Sequence, residues 1–118
     1  PTSPLRKPDT IKKSVQIFNE NTFDSLISVI ETKDCLGKIK NGKFEHLEPK
    51  QPRRRQDRKG LYKECGVIYA TRYKTLIERN SIFGLNTYPM IVGQIESLDI
   101  NYEIDFKIIE AIIKNSGK

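Results

Sequence analysis

Few side chains in this 118-residue sequence could carry out catalysis by themselves. His46 is the only histidine, so no catalytic dyad or metal cluster based on histidine can be built within the chain. Cys35 and Cys65 lie far apart without a CxxC pair, which argues against a zinc site and against a disulfide framework. This cysteine usage favours a reducing, cytoplasmic environment.

The most conspicuous charged stretch is the arginine run at residues 53–55, in a chain of formal net charge +6 and a pI near 9.4. A guanidinium group can bind two oxygens of a carboxylate or phosphate at once. The run therefore suits an enzyme for anionic substrates, but it also fits a solvated surface or an RNA-binding patch. Of the aromatic residues that such a patch would interleave, only Tyr62 is near. Composition alone does not choose between these interpretations.

The pattern of apolar residues indicates one modest domain with alternating helices and strands. The apolar share of 36% and the charged share of 31% suit a globular protein, and no apolar run is long enough for a membrane span. The sequence predicts helices at 9–21, 72–80 and 103–115, strands at 23–31, 66–71, 87–92 and just before residue 100, and a hairpin at 38–44.

Particular residues define these elements. Asp9 is the expected N-cap of the first helix, and Asn41-Gly42 is the expected hairpin turn. The second helix is expected to bury Tyr73, Leu76 and Ile77. One face of the first helix and one of the last are expected to be apolar, formed by Ile11, Val15, Ile17 and Phe18, and by Ile104, Ile108, Ile109, Ile112 and Ile113.

This alternation predicts an α/β fold, a sheet with helices on its faces, interrupted by a polar insertion. We expect a core helix and strand at 1–31, an arm and basic loop at 32–65, and core strands with a final helix at 66–118. The opening Pro-Thr-Ser-Pro reads as a loop that leaves an ordered element, so we expect the N-terminus to be a cut edge.

Four segments together resemble the acylneuraminate cytidylyltransferase family, whose members join CTP to a nine-carbon keto acid. They are PTSPLR at 1–6, RRQD at 54–57, GVIY at 66–69, and SLDIN with EIDF between 97 and 106. The resemblance implies the C-terminal half of a Rossmann-like nucleotide-sugar transferase sheet. The glycine-rich loop that wraps the CTP phosphates in the family would lie upstream of Pro1, so we expect this chain alone to be inactive.

The resemblance assigns metal binding to Asp99. This residue matches a family carboxylate that binds Mg²⁺, a hard cation that takes one or two carboxylates from protein. The family commonly has a second aspartate two residues later, where this chain has Asn101. An amide oxygen is a weaker ligand, so the number of metal ions is an open question. Without the resemblance, Asp99 would be taken for a residue that ends a strand or caps a helix.

Two basic residues of the insertion match positions that act across a dimer in this family. Arg55 matches an arginine that reaches the active site of the partner, and Lys38 aligns with a lysine of similar role. A homodimer formed through residues 32–65 is therefore implied, with Arg55 as a catalytic residue.

The remaining site residues are implied to surround the sugar. Tyr69 and Phe83 match aromatic positions of the sugar pocket, where the tyrosine hydroxyl could bond an acyl carbonyl. Ordinary core packing explains both residues equally well. Thr2 and Ser3 match positions near substrate, although a Thr-Ser pair between prolines also makes a turn.

Two departures from the family bear on the substrate. Cys65 stands where an asparagine often contacts the sugar, and Ile82 stands where an aromatic residue can occur. A thiol is a poor hydrogen-bonding substitute for an amide. The departures favour an acid sugar other than ordinary N-acetylneuraminate, such as the diacylamino relative legionaminic acid.

The leading hypothesis is therefore part of a Mg²⁺-dependent enzyme that transfers CMP from CTP to a sialic-type acid and releases pyrophosphate. A transferase for another keto acid, of the legionaminic, pseudaminic or Kdo type, is the alternative within this class. The alternative from another class is a basic module that binds RNA or a protein, supported by the charge balance and the arginine run alone. We expect neither a membrane nor a nucleic acid as partner.

Overall fold

The computed structural model describes residues 2–116 and divides the chain into two units. The first unit is formed by the residues up to Ile30 and those from Glu64 onwards. The second unit is Glu31–Lys63. The first unit holds three helices and most of a three-stranded sheet, which confirms the α/β class.

The sheet has the order β4-β1-β5, formed by strands β1 (Ser25–Thr32), β4 (Leu61–Thr71) and β5 (Thr87–Ile91). β1 and β5 are parallel, with Ser25 opposite Thr87. On the other side of β1, the Arg72 N–H donates to the Asp24 carbonyl at 3.0 Å, so the end of β4 lies beside the start of β1. The sheet is therefore mixed. Its apolar core contains Leu26, Val67, Ile68, Met90 and Val92.

Helix α1 (Pro8–Glu20) is held at both ends by residues distant in the sequence. Pro8 opens the helix, where its missing N–H costs nothing. The N-cap is Lys7, not Asp9 as predicted, and the buried Glu96 carboxylate accepts hydrogen bonds from the Lys7 N–H and the Thr10 hydroxyl. A carboxylate at this end of a helix offsets the positive end of the helix dipole.

At the other end of α1, the Arg72 guanidinium donates to the carbonyls of Phe18, Asn21 and Phe23 and stacks on the Phe18 ring, 4.6 Å from its centroid. Arginine is suited to this position because its five N–H groups can serve several carbonyls at once. The start of α1 is thus tied to Glu96, and its end to the residue that follows β4.

The predicted inward faces of the helices are wrong in part. In α2 (Tyr73–Arg79), Tyr73 is 77% exposed and Ile77 62% exposed, Leu76 is also exposed, and the buried residue is the small Thr75. In α1, Ile17 and Phe18 are half-buried, but Thr10 and Ser14 are the buried residues, while Ile11 and Val15 are exposed.

Helix α3 (Glu103–Asn115) has the predicted bounds, yet Ile109 is the one isoleucine of its apolar face that is buried. The predicted short strand before Ile100 is absent from the described part of the chain. Instead, the Ile100 N–H donates to the Thr2 carbonyl at 2.9 Å.

The second unit is built on a two-stranded antiparallel hairpin, β2 (Gly37–Lys40) and β3 (Lys43–His46). Its turn residues Asn41 and Gly42 have φ angles of 53° and 75°. Positive φ at both central residues defines the turn that matches the twist of a hairpin. The predicted hairpin therefore forms, and a basic loop with a single 3₁₀ turn, Arg55–Asp57, follows it.

Candidate functional site

The candidate site of the first unit is built around an irregular stretch of β4. The carbonyls of residues 65–68 all lie within hydrogen-bonding distance of side chains. Ser3 Oγ donates to the Gly66 carbonyl at 3.3 Å, and Arg6 Nη1 donates to the Val67 carbonyl at 2.9 Å. Ser28 Oγ lies within hydrogen-bonding distance of the Cys65 and Ile68 carbonyls, one of which can accept its single proton, and it accepts the Ile68 N–H at 3.0 Å.

This irregularity changes the direction of the side chains beyond it. In a regular strand, residues an odd number apart point to opposite faces. Yet the Tyr69 hydroxyl donates to Glu64 Oε1 at 2.5 Å, although these residues are five apart, and the consecutive residues Val67 and Ile68 are both buried. Residues 65–68 therefore depart from the regular alternation of a strand, as residues at a β-bulge do, and we call this stretch the bulge. The bulge therefore places Tyr69 beside Glu64.

An aromatic pair forms one side of this site. The Tyr69 and Phe83 rings meet edge to face, with centroids 6.4 Å apart. Both rings keep at least a third of their surface exposed, so they are available for contact with a ligand. The loop that carries Phe83 is held to the end of β4, because Thr71 Oγ1 donates to the Ile82 carbonyl at 2.6 Å.

The site is electrostatically negative around the Tyr69 hydroxyl. The hydrogen bond to Glu64, followed by burial and by the negative charges of Glu64 and Asp99, raises the pKa of Tyr69 to about 12. Tyr69 and Asp99 are therefore close enough for their charges to interact. Among the predicted site residues, the structure brings the Tyr69 and Phe83 rings together.

Asp99 is half-buried, and its Oδ1 accepts the Ile100 N–H at 3.0 Å. Its other carboxylate oxygen accepts no hydrogen bond from residues 2–116, so it can bind a cation. Asn101 is exposed, and its backbone N–H, like that of Tyr102, donates to Asp105 at the start of α3. No cluster of three or more His, Cys, Asp or Glu side chains occurs among residues 2–116. Asp99 therefore offers one carboxylate with a free oxygen, the type of ligand that Mg²⁺ takes from proteins.

The predicted substrate-binding residues at the start of the chain and at Cys65 have clear contacts. Ser3 is buried and binds the Gly66 carbonyl, and the Thr2 carbonyl accepts the Ile100 N–H. Cys65 is a free, half-buried thiol. Ser3 and Thr2 therefore connect the first residues of the chain to β4 and to the segment that carries Asp99.

Arg55 and Lys38 lie in the second unit. Arg55 Nη1 is 2.7 Å from Asp34 Oδ1, and both side chains are more than half exposed. The hydrogen bond from Arg55, followed by one from Thr32, lowers the pKa of Asp34 below its ordinary value of 3.8. This pair stabilises the folded chain above that value, and its contribution is lost as the pH falls through the lowered pKa. Lys38 lies on β2, opposite Glu45.

Several curated bacterial proteins show sequence similarity to the chain. It is 34% identical over 97% of its length to a CMP-N,N'-diacetyllegionaminic acid synthase of Legionella pneumophila. The identity is 29% over 98% of the chain with post-translational flagellin modification protein B of Campylobacter coli, and 28% over 89% with an N-acylneuraminate cytidylyltransferase of Streptococcus agalactiae. The chain belongs to the acylneuraminate cytidylyltransferase family.

The similarity covers part of each relative. The chain spans 51% of the length of the Legionella and Campylobacter proteins and 27% of the Streptococcus protein. No protein-family model matches it. No helix within residues 2–116 has the length and apolarity needed to cross a membrane.

Within this acylneuraminate cytidylyltransferase homologue, sequence reasoning missed the residues that hold the site in place. Glu64, Ser28 and Arg6 position Tyr69 and β4. Arg58 does the same for the basic loop: its guanidinium donates to the carbonyls of Pro52, Arg53 and Lys33. The arginine run drew attention to 53–55, but nothing in its composition distinguishes the arginine that is bound to backbone.

We predict that Arg58→Lys loosens the loop that carries Arg55. Lysine keeps the positive charge, but its ammonium group lacks the planar set of N–H groups through which Arg58 donates to three carbonyls. Backbone amides of residues 52–59 should exchange hydrogen several-fold faster in this variant, as measured by mass spectrometry. Arg54→Lys is the matched control, because the contact of Arg54 with Asp57 is exposed and 3.9 Å long. Equal exchange in both variants would contradict the role assigned to Arg58.

Proposed function

We propose that this chain is part of a cytidylyltransferase that transfers CMP from CTP to a sialic-type nine-carbon keto acid and releases pyrophosphate. The observation that carries the proposal is the similarity to two kinds of CMP-sugar enzyme over nearly the whole chain. The grouping of Tyr69, Phe83 and Asp99 in one unit supports it. Its fold would be the C-terminal half of a Rossmann-like sheet.

The chemistry requires the anomeric hydroxyl of an anionic sugar to attack the α-phosphorus of CTP. Such transfers depend on positioning and on positive charge near the developing negative charge. Asp99 would hold Mg²⁺, which when bound neutralises phosphate charge, and Asn101 would contribute weakly or through water. Arg55 would bind a carboxylate or phosphate, and its ion pair with Asp34 uses one of its nitrogens and leaves the others for a ligand.

The sugar is proposed to lie against Tyr69 and Phe83. Their exposed faces suit a sugar ring or an acyl methyl group. One relative is named as a diacetyllegionaminic acid synthase. This chain has Cys65 at the position where an asparagine of the family often contacts the sugar. A diacylamino acid is therefore the substrate that we propose. We propose that Thr2, Ser3 and Lys38 bind the sugar at the edge of this site.

Residues 32–65 are proposed to mediate a homodimer. Apolar side chains in this segment are exposed on the second unit, which suits burial against another chain. They are Leu36, Ile39, Phe44 and Leu47. Arg55 and Lys38 would then act on the site of the partner.

The test is a CMP-transfer assay of the protein expressed from its complete coding sequence, with CTP, Mg²⁺ and a panel of keto acids. The panel contains N-acetylneuraminic, diacetyllegionaminic, pseudaminic and Kdo acids, and the products are CMP-sugar and pyrophosphate. We expect transfer to a nine-carbon acid, at least about tenfold preferred over Kdo because the pocket must fill with its acylamino groups. Failure to form any CMP-sugar would contradict the proposal, and tight RNA binding that weakens steeply with salt would favour the basic-module alternative.

A further inference from the structure

The hydrogen bond between Tyr69 and Glu64 lies at the proposed sugar site and bears on which groups of a sugar this site can bind. Tyr69 Oη donates to Glu64 Oε1 at 2.5 Å, while the Tyr69 ring contacts Phe83. A phenol has a single proton to donate, and an ionised carboxylate can only accept. Once the proton is directed to Glu64, the hydroxyl oxygen and the carboxylate both face a ligand as acceptors.

The acidic side chains that act on Tyr69 are Glu64 and, more weakly, Asp99, and an ionised carboxylate accepts hydrogen bonds but cannot donate them. An acyl carbonyl, itself an acceptor, would find no donor at the Tyr69 hydroxyl unless the bond to Glu64 broke. A bond from Tyr69 to an acyl carbonyl, as the family resemblance implies, would therefore compete with the bond to Glu64.

We propose that Glu64 is a specificity-determining residue, which makes this pocket select a sugar that offers an N–H or O–H donor, such as the amide N–H of an acylamino group. This inference rests on the proposed function. Glu64 acts through Tyr69, so it is a positioning residue for the hydroxyl. The bulge in β4 makes the arrangement possible, because in a regular strand two side chains five residues apart would lie on opposite faces.

The first experiment observes the hydrogen bond directly, without substrate. Tyrosine labelled with ¹³C at Cζ gives one resonance for each tyrosine, and Tyr69→Phe identifies the one of interest. In the parent protein this resonance should remain that of the neutral phenol through about pH 11, since the pKa of Tyr69 is raised to about 12. In Glu64→Leu it should titrate near pH 10, the ordinary value for tyrosine. Identical titration in both proteins would overturn the proposal.

The second experiment measures discrimination in the CMP-transfer assay. The substrate pair is an acylamino keto acid and its N-methyl analogue, which keeps the carbonyl but lacks the N–H. The parent enzyme should prefer the N–H substrate roughly tenfold in kcat/KM, because methylation leaves acceptors without a donor. In Glu64→Leu the preference should fall to within about twofold, since Tyr69 is then free to donate.

Glu64→Gln separates this role from a merely structural one. The glutamine carbonyl can still accept the Tyr69 proton, so Glu64→Gln should keep most of the preference for the N–H substrate that Glu64→Leu loses. If Glu64 were needed only for folding, the two variants would not differ in this preference. Glu103→Leu is the control for loss of an exposed carboxylate. Unchanged discrimination in Glu64→Leu would contradict the Glu64 proposal alone. A parent enzyme that transfers CMP to no keto acid would contradict the proposed function, whatever the tyrosine titration shows.

Discussion

Replacing Asp99 by asparagine is expected to lower kcat for CMP transfer about 100-fold, the usual loss when one stabilising group at a reacting centre is removed. The substitution would keep the size of the side chain and an oxygen for the Ile100 N–H. It would lose the negative charge that Mg²⁺ requires. The measurement is kcat as a function of Mg²⁺ concentration, in the protein expressed from its complete coding sequence.

Two further variants test whether the loss of kcat in Asp99→Asn results from weaker binding of Mg²⁺. Asn101→Asp restores the second family carboxylate at an exposed position, so it should lower the Mg²⁺ concentration needed for half-maximal rate. Glu103→Gln removes an exposed carboxylate whose partner Lys107 is 3.7 Å away, and it should leave the rate unchanged. If Asp99→Asn and Glu103→Gln behave alike, Asp99 has no role in metal binding.

The elements that the sequence predicted well are those whose signals are local. The hairpin depends on Asn41-Gly42, two residues that tolerate positive φ, and no distant contact is needed to form the turn. Helix α3 begins where Asp105 accepts the backbone N–H groups of Asn101 and Tyr102, a capping arrangement contained within five residues. Local chemistry is readable without the fold.

Burial was predicted less well because it depends on what packs against each helix. Leu76 and Ile77 were expected to be buried for their apolar character, but the face of α2 that packs inward carries Thr75. The carboxylate at the start of α1 is also distant in the sequence, because Glu96 lies 89 residues from Lys7. No local pattern could show that Glu96 accepts hydrogen bonds at this helix end and that Asp9 does not cap it. Composition cannot supply such long-range pairings.

The candidate site divides in the same way. Tyr69, Phe83 and Asp99 could be found from motifs, since the family resemblance fixes their positions. Glu64 and Ser28 could not, because their importance arises only when β4 bulges and the strand pairs with β1. Motifs therefore identified the residues expected to touch a ligand, and the structure added those that hold them in place.

The second large effect is on stability: Ser28→Ala should lower the free energy of unfolding by roughly 2 to 3 kcal/mol. Ser28 is fully buried, and its hydroxyl accepts the Ile68 N–H while lying within hydrogen-bonding distance of the Cys65 and Ile68 carbonyls. Alanine would leave the N–H and a carbonyl buried without this partner. Urea unfolding monitored by circular dichroism measures the change.

Ser14→Ala is the matched control, because it makes the same change at another buried serine. The Ser14 hydroxyl bonds the Ile11 carbonyl within α1, and alanine favours helix, so this variant should stay within about 0.5 kcal/mol of the parent. In Ser28→Ala the bulge should also relax, separating Tyr69 from Glu64, and the pKa of Tyr69 should fall from about 12 towards its ordinary value. A Ser28→Ala protein with parental stability and parental Tyr69 titration would show that the bulge does not depend on Ser28, and that the strand itself holds Tyr69 beside Glu64.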